Sequence, residues 1–321
     1  MKIKITKMQG CGNDFILIDD REEGGRERVA EEKKAEVAEF LCRRRFSVGA
    51  DGVLFLCDSA TAAADVRMRV FNADGSEAEM CGNGLRCFAK YAYEKGAVPD
   101  RRGGGLRVET LAGVVVAEVL VGSGLVRVFM GKPAFEKIDE PFFVNERVGV
   151  VRLTSLRLGN PHAVVVVDSF EGLDLDAVGS GIESHEAFPE RTNVDFVVVE
   201  EVGRGREEEK EVKEKEVKEK EVKEKEVKEK EVSVRTYERG VGETLSCGTG
   251  ATASVLALNE LGRVATAAGA TAVTSGEPVP VTVQVHTRGG DLEVELWEEG
   301  AYLVGPAEKV FEGVVELRKT E

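Results

Sequence analysis

The chain has few of the residues that mark several common classes of site. Its 321 residues include one tryptophan and three histidines, and no two of its six cysteines form a Cys-x-x-Cys pair. Structural zinc sites need closely spaced thiolate and imidazole ligands, so we expect no metal site, and a disulfide framework is equally unexpected in so long a chain. No apolar run approaches the roughly 18 residues of a membrane span, so no membrane partner is predicted.

The chain also has fewer basic residues than acidic ones. Asp and Glu number 59 against 44 Lys and Arg, and the net charge is -15. A general nucleic-acid-binding protein needs a concentrated basic face, so no nucleic-acid partner is expected. The first residues, Met1-Lys-Ile-Lys-Ile5, alternate as in a strand and contain no apolar signal-peptide block, which favours a cytoplasmic location.

The apolar pattern predicts a chain of many short strands and few helices. The length indicates about two domains of roughly 100–200 residues each. Helical spacing predicts helices at 28–44, at 82–95, after Asp174 and at 248–261, where Gly262 is a C-cap. Alternation and glycine turns predict strands at 2–7, 14–19, 53–56, 65–72, 106–110, 113–121, 125–130, 151–158, 162–168, 193–202, 231–237, 280–286, 291–297 and 301–304. This composition of elements indicates an α+β protein.

Residues 211–230 are four copies of Glu-Val-Lys-Glu-Lys. Every Glu of the repeats except the last, Glu229, has a Lys four residues later, a favourable order on a helix. Valine at every fifth position, however, forms neither an apolar stripe on a helix nor one face of a strand. We therefore expect a solvated, charged, low-complexity insertion, spanning 205–231, in the connection between two strands.

Two cysteines lie in nearly the same local sequence, one in each half of the chain. The first motif is Asn72-Ala-Asp-Gly-Ser-Glu-Ala-Glu-Met-Cys81-Gly-Asn-Gly-Leu-Arg, and the second is Glu238-Arg-Gly-Val-Gly-Glu-Thr-Leu-Ser-Cys247-Gly-Thr-Gly. Both contain Cys-Gly-x-Gly before an apolar, helix-like run and a Glu four residues before the cysteine. The repetition indicates a duplicated unit.

Cys-Gly-x-Gly at a helix start predicts an anion site beside a thiol. The first backbone N–H groups of a helix are free to bind an anion, and the helix dipole favours negative charge there. The same field is expected to lower the thiol pKa. Two such helices facing each other would hold one carboxylate between two thiols, a geometry suited to moving a proton from one face of a carbon to the other.

These motifs closely resemble those of the diaminopimelate epimerase family. Three further segments carry the resemblance: Lys7-Met-Gln-Gly-Cys-Gly-Asn-Asp-Phe15, Gly159-Asn-Pro-His162 and Asn193-Val-Asp-Phe196. The match runs in order from residue 3 to the C-terminus, apart from the charged insertion. The resemblance implies a cofactor-independent isomerase that interconverts LL- and meso-diaminopimelate in lysine biosynthesis, with no metal and with a homodimeric state.

The resemblance also implies an architecture. It predicts two similar, pseudo-symmetric lobes, each a curled mixed or antiparallel sheet around a helix, with the active site in the cleft between them. The expected N-terminal lobe is 1–125, completed by 308–321, and the expected C-terminal lobe is 126–307.

Site residues follow from the same resemblance. Cys81 and Cys247 are the expected catalytic pair, one a thiolate that takes the α-proton and the other a thiol that donates one. His162 and Glu238 are expected to tune the thiols. The expected substrate-binding residues are Asn13, Asn72, Gly82, Asn83, Asn160, Asn193, Glu238, Arg239, Gly248 and Thr249, whereas Arg86 and Glu77 are expected to brace the motif.

Four positions depart from the pattern of the family. Gln9 and Cys11 replace the usual His and Leu, Asp195 stands where Asn is common, and Gly52 has no side chain where some members contact substrate. Cys11 adds a thiol near the site, whereas Cys42, Cys57 and Cys87 are expected to be ordinary buried thiols.

Two alternatives remain open at the level of sequence. A proline or hydroxyproline racemase would share paired cysteines but would not need so many polar groups for a distal amino-acid end. A thiol redox or binding protein that docks through the charged insertion is disfavoured by the missing Cys-x-x-Cys and by the insertion's lack of an apolar face.

Overall fold

The computed structural model describes residues 1–21, 28–97, 105–200, 231–264, 272–274 and 277–317. Four α-helices lie in these ranges: α1 (Lys34–Cys42), α2 (Gly82–Glu94), α3 (Leu175–Glu183) and α4 (Gly248–Glu260). A 3-10 turn, Glu31–Lys33, leads into α1. No helix in the described part of the chain is long and apolar enough to cross a membrane.

The strands outnumber the helices, as the sequence pattern predicts. In the first half they are β1 (Lys2–Gly10), β2 (Asn13–Asp19), β3 (Gly52–Cys57), β4 (Val66–Asn72), β5 (Glu77–Ala78), β6 (Leu106–Thr110), β7 (Gly113–Leu120) and β8 (Leu125–Gly131). The second half holds β9 (Ala134–Asn145), β10 (Gly149–Leu158), β11 (Asn160–Val166), β12 (Asn193–Glu200), β13 (Glu231–Glu238), β14 (Gly242–Glu243), β15 (Ala272–Thr274), β16 (Glu277–Val279), β17 (Val281–Thr287), β18 (Gly290–Trp297), β19 (Gly300–Gly305) and β20 (Glu308–Glu316).

The strand pairings repeat between the two halves. The first half runs β20, β1, β2, β3, β4, β6, β7, β8, in which β2–β3 and β4–β6 are parallel and the other pairs antiparallel. The second runs β9, β10, β11, β12, β13, β17, β18, β19, with its parallel pairs β11–β12 and β13–β17 at the same two places. The duplication inferred from the cysteine motifs is therefore present in the topology.

Each half buries apolar side chains on both faces of its sheet. In the first half, Leu85 and Phe88 of α2 pack on one face, and Val37 and Leu41 of α1 pack on the other. In the second half, α4 and α3 take the corresponding places. The two-lobed α+β prediction is confirmed, with an outer helix added to each lobe.

Two local expectations differ from the structure. The predicted helix at 28–44 begins later, since Asp20 Oδ1 accepts the backbone N–H of Val29 at 2.8 Å and holds that residue outside the helix. Strand β9 has no counterpart among the predicted strands. Its sequence contains Pro141, which is typical of an edge strand and hides the strand signal.

The lobe boundaries stay a prediction. Strand β8 pairs with β7 on one side and with β19 on the other, so it belongs to both sheets. The predicted insertion 205–231 lies outside the described residues except for Glu231.

Candidate active site

Cys81 and Cys247 occupy equivalent positions at the starts of α2 and α4. Each is the N-cap of its helix in an extended conformation, and its Sγ accepts the N–H of the residue three positions later, Gly84 or Gly250, at 3.4 Å. Thiols are unusual N-caps, since oxygen-bearing side chains are preferred there. The same geometry at both helices confirms that the thiols lie beside free N–H groups.

The starts of the two helices meet across the interface between the lobes. Asn83 Nδ2, in the first turn of α2, donates to the backbone oxygen of Ser246, one residue before Cys247, at 3.0 Å. A Cβ built on Gly248 would lie 3.4 Å from Asn83 Oδ1, an ordinary contact distance, so the first residue of α4 is next to the Asn83 side chain. The two N-terminal dipole ends therefore point into one shared space.

The pKa values of both thiols are raised in the structure, whereas the sequence predicted that they would be lowered. Burial raises the pKa of Cys81 to about 11, although the N–H of Gly84 opposes the shift. Burial also raises the pKa of Cys247 well above its ordinary value, helped by the carboxylates of Glu238 and Asp195. The expected lowering by the helix dipole is wrong for this state of the protein because loss of hydration outweighs the helix terminus.

Matching ion pairs hold the segment before each cysteine. Glu77, four residues before Cys81, binds Arg69 at 2.7 Å. Glu243, four residues before Cys247, binds Arg235 at the same distance. The repeated Glu is therefore a brace for the motif, as expected for Glu77.

Asn13, at the start of β2, faces Cys81. Its Nδ2 donates to Asp51 Oδ2 at 2.6 Å, which turns its Oδ1 toward Cys81 Sγ, 3.9 Å away. Arg44 in turn binds Asp51 at 2.7 Å and Asp14 at 2.5 Å. An exposed ion-pair network thus fixes the orientation of one amide at the first thiol.

His162 lies in a buried polar cluster of the second lobe. Its Nδ1 is 2.7 Å from Asp195 Oδ2, and its Nε2 is 3.0 Å from Asn160 Oδ1. The other oxygen of Asp195 accepts from the Thr236 hydroxyl at 2.7 Å. A Cβ on Gly250 would lie 2.2 Å from Asp195 Oδ1, so this carboxylate lies against the first turn of α4.

Glu238 is the charged group that reaches both thiols. Burial raises its pKa, while a 2.6 Å hydrogen bond from the Thr244 hydroxyl opposes the shift. Its charge raises the pKa of Cys81 and of Cys247 alike. Glu238 is therefore near enough to both cysteines to act on them electrostatically.

Asn193 connects the remaining polar residues. Its Oδ1 accepts the backbone N–H of Arg239 at 2.9 Å, and its Nδ2 donates to the backbone oxygen of Pro161 at 3.3 Å. The Arg239 guanidinium donates to the backbone oxygen of Glu190 at 3.0 Å. Thr249 contributes a hydroxyl 3.3 Å from Cys247 Sγ.

The strand registers show that the two lobes place residues at equivalent positions. Gly52 pairs with Asn72 on β3–β4, and Val194 pairs with Tyr237 on β12–β13, so Asn193 lies opposite Glu238. Each of Asn72 and Glu238 precedes its cysteine by nine residues. Asn72 differs from the rest because its amide donates to Ser76 Oγ in its own turn, at 3.0 Å.

Sequence reasoning missed several supporting residues. Asp51 orients Asn13, and Thr244 donates to Glu238. Arg44 binds Asp51, and Thr236 donates to Asp195. Of these four residues, only Thr244 lies within a cysteine motif. Asp51 directly precedes Gly52 in the sequence, but a solvated turn explains a lone Asp equally well. Within the described ranges, no group of three or more His, Cys, Asp or Glu residues could hold a metal ion.

The fold resembles solved structures of low sequence identity. A probable proline racemase from Agrobacterium radiobacter K84 superposes with a TM-score of 0.63 at 15% identity, over 99% of this chain and 93% of that one. A phenazine biosynthesis protein of the PhzF family from Bacillus anthracis gives 0.61 at 16% identity, over 99% and 100%. At such identities the likeness concerns the fold alone.

Comparison at the level of sequence is more specific. The family model described as diaminopimelate epimerase matches residues 5–136 and 154–310. A diaminopimelate epimerase from Methanothermobacter thermautotrophicus is 40% identical over 98% of both chains. Another, from Caldanaerobacter subterraneus subsp. tengcongensis, is 41% identical over 98% of this chain and all of that protein. The chain therefore belongs to the diaminopimelate epimerase family and is an isomerase, as the paired cysteine motifs predict.

Proposed function

We propose that this protein interconverts LL- and meso-diaminopimelate by proton transfer between Cys81, Cys247 and the α-carbon of the substrate. The observation that carries the proposal is the pair of thiols that cap two helices whose first turns touch. A carboxylate placed at the N–H groups of Gly82-Asn83 and Gly248-Thr249 would hold its α-carbon between the two sulfurs.

The proton balance needs one thiolate and one thiol. The thiolate takes the α-proton, so that an S–H bond forms while the C–H bond breaks, and the electron pair spreads into the carboxylate. The opposite thiol then gives its proton to the other face of the carbon and becomes the thiolate. The roles reverse with the direction of the reaction, and the step needs no cofactor.

Polar groups in the second lobe support a substrate with a second amino-acid end. Asn160 contacts His162, and Asn193 contacts the backbone of Pro161 and of Arg239. Glu238 acts on Cys247 electrostatically. Together with the Arg239 side chain, these residues offer an acidic group, amides and a guanidinium. A guanidinium can hold a carboxylate in two places, and Glu238 can accept from an ammonium group. Proline and hydroxyproline have no such end, so this set favours diaminopimelate.

The remaining expectations belong to the same proposal. Asn13 and Asn72 would complete the substrate contacts of the first lobe, and His162 with Glu238 would tune the thiols. We infer a homodimeric enzyme of lysine biosynthesis that works in the cytoplasm, with no nucleic acid, membrane or metal involved.

The test is deuterium incorporation from D2O into LL-diaminopimelate, with proline in a parallel reaction. The enzyme should exchange the α-proton of diaminopimelate and form the meso isomer, and it should leave proline unchanged. Cys81→Ala and Cys247→Ala should each abolish epimerisation, whereas Cys57→Ala, which removes a buried thiol elsewhere in the first lobe, should keep it. Full activity in either of the first two variants would refute the two-base assignment.

A further inference from the structure

Arg86 is a fully buried cation at the meeting point of the two helix starts. Its side chain has no solvent exposure, and it is the largest of the fully buried side chains in the described chain. Its Nε donates to the backbone oxygen of Pro306 at 3.2 Å, and its Nη2 lies 3.6 Å from Cys11 Sγ. Among the described residues, no carboxylate forms an ion pair with it.

The third nitrogen of the guanidinium has no hydrogen-bond partner in the described chain. This Nη1 would lie 3.6 Å from a Cβ built on Gly248, the first residue of α4. Asn83 Oδ1, also buried and unpartnered, would lie 3.4 Å from the same Cβ. Two buried polar atoms therefore remain free at the place where both helix N-termini point.

Two glycines leave room for the Arg86 side chain. A Cβ on Gly10, at the end of β1, would lie 3.3 Å from Nη2, and a Cβ on Gly305, at the end of β19, would lie 3.1 Å from Nε. Both contacts are tighter than ordinary van der Waals separations. The guanidinium thus lies between the two lobes and is closely packed by glycine on both sides.

An uncompensated buried charge has a large energetic cost. Even after relaxation, removing an ion from water costs several kcal/mol, and a counter-charge of good geometry is what offsets it. Arginine keeps its charge at every physiological pH, so it cannot escape this cost by losing a proton. An anion at the helix starts would supply the missing counter-charge.

We propose that Arg86 is a positioning residue that supplies the fixed positive charge of the carboxylate site from behind the two helix N-termini, without touching the substrate. This inference rests on the proposed function. The charge stabilises the bound carboxylate and, more strongly, the extra negative charge that the carboxylate gains when the α-proton leaves. It also favours the thiolate of Cys81, whose pKa it lowers against the larger effect of burial.

Other titratable groups lie near Arg86, and their effects must be distinguished from the effect of the Arg86 charge on Cys81. Cys11 and Cys87 lie close to it, and burial raises the pKa of both thiols, that of Cys87 to about 12. Lys90 lies one turn further along α2 and donates to the backbone oxygen of Ala307 at 2.7 Å, next to the Pro306 oxygen that Arg86 binds. Glu238 raises the pKa of Cys81, whereas Arg86 lowers it.

Lys90 therefore provides a matched control. Arg86→Met and Lys90→Met each remove a cation that ties α2 to the segment between β19 and β20, but only Arg86 faces the helix starts. Arg86→Met should reduce kcat/KM by about 10- to 100-fold, mostly through kcat, because the charge matters most after proton loss. Lys90→Met should stay within about threefold of the unchanged enzyme, and Arg86→Lys should recover most of the loss.

A second readout does not depend on turnover. The rate at which iodoacetamide alkylates Cys81, followed by mass spectrometry of its peptide, rises with pH as the thiolate forms. In Arg86→Met this rise should move to higher pH by about one to two units, since a positive charge near the sulfur is gone. In Arg86→Lys and Lys90→Met it should not move.

The outcomes separate this inference from the proposed function. If the unchanged protein does not epimerise diaminopimelate, the proposed function fails, while the alkylation series still measures the charge effect. If it does, but Arg86→Met behaves like Lys90→Met in kcat and in alkylation, Arg86 is only a brace and the inference is wrong. Should Arg86→Met not fold, an alkylation profile that shifts in Arg86→Lys would equally contradict the inference.

Discussion

At the scale of single residues, the site contains two glutamates whose environments push their pKa values apart. Burial raises the pKa of Glu238, while a hydrogen bond from Arg235, aided by Arg288, lowers the pKa of Glu243. The two residues are five positions apart and lie on β13 and β14, which pair with each other. Their effects on stability should therefore have opposite signs.

Glu238→Gln should stabilise the fold at neutral pH. A carboxyl group with a raised folded pKa contributes stability that is fully present below its unfolded pKa and is lost as the pH rises through the folded value. The amide avoids that loss and still accepts from Thr244. The Tm of this variant should exceed that of the unchanged protein at pH 8, and the gap should close toward about pH 4, where the unfolded carboxyl is protonated.

Glu243→Gln is the control of opposite sign. A lowered folded pKa contributes stability that is present above the unfolded pKa and is lost as the pH falls through the folded value. This variant should therefore have a lower Tm at pH 8, with the difference shrinking in acid. Thermal unfolding between pH 4 and 8 measures both, and a gap of the same sign in the two variants would contradict the assigned environments.

At the scale of elements, the glycines of the two Cys-Gly-x-Gly turns differ in whether a side chain would fit at their positions. The first glycine of the α2 turn, Gly82, has open space where a Cβ would go. The third residue after Cys247, Gly250, has none, because a Cβ there would lie 2.2 Å from Asp195 Oδ1 and 2.8 Å from Thr236 Oγ1. Glycine at 250 is required by the approach of β12 and β13 to the helix.

Gly250→Ala should therefore destabilise the protein, and Gly82→Ala should not. The added methyl group must displace the buried Asp195 or Thr236, which costs about 1–3 kcal/mol as overpacking does elsewhere. Denaturant unfolding of the two variants checks this difference. A loss of similar size in Gly82→Ala would show that helix propensity or the cap, rather than the contact with Asp195, decides the cost.

At the scale of the whole molecule, the segment that contains the charged repeat is attached at strand ends remote from the thiols. It connects Glu200 of β12 to Glu231 of β13, which are paired directly. The proposed site residues Asn193 and Glu238 lie at the opposite ends of the same two strands. At about 3.3 Å per residue, the two ends of this hairpin are separated by roughly 20 Å.

Replacing 211–230 by a short Gly-Ser linker should leave catalysis nearly unchanged. We expect kcat and KM for diaminopimelate within about twofold of the full chain, because the hairpin register is set by the paired residues of β12 and β13. Steady-state kinetics and the oligomeric state by light scattering are the measurements. A large drop in kcat with an intact fold would indicate that the repeat contacts the site or a second copy of the chain.

Local sequence patterns predict much of the architecture. Helices at 82–95 and 248–261 were predicted within one residue of α2 and α4, and Gly262 has the positive φ of 65° expected after a helix C-terminus. The strands with alternating apolar residues were found, whereas β9, with proline and many charged residues, was not. Local signals identify elements that bury an apolar face, and edge strands bury little.

The sequence by itself determined the two thiols, the glycine turns after them and the family, because these depend on short motifs whose spacing is local. Only the tertiary structure decided the rest. It brought Asn83 to Ser246, placed Glu238 near both cysteines, and buried Arg86 with no counter-charge among the described residues. It also reversed the expected direction of the thiol pKa values, because hydration is lost only when distant segments close around a group, and no local pattern records which segments these are.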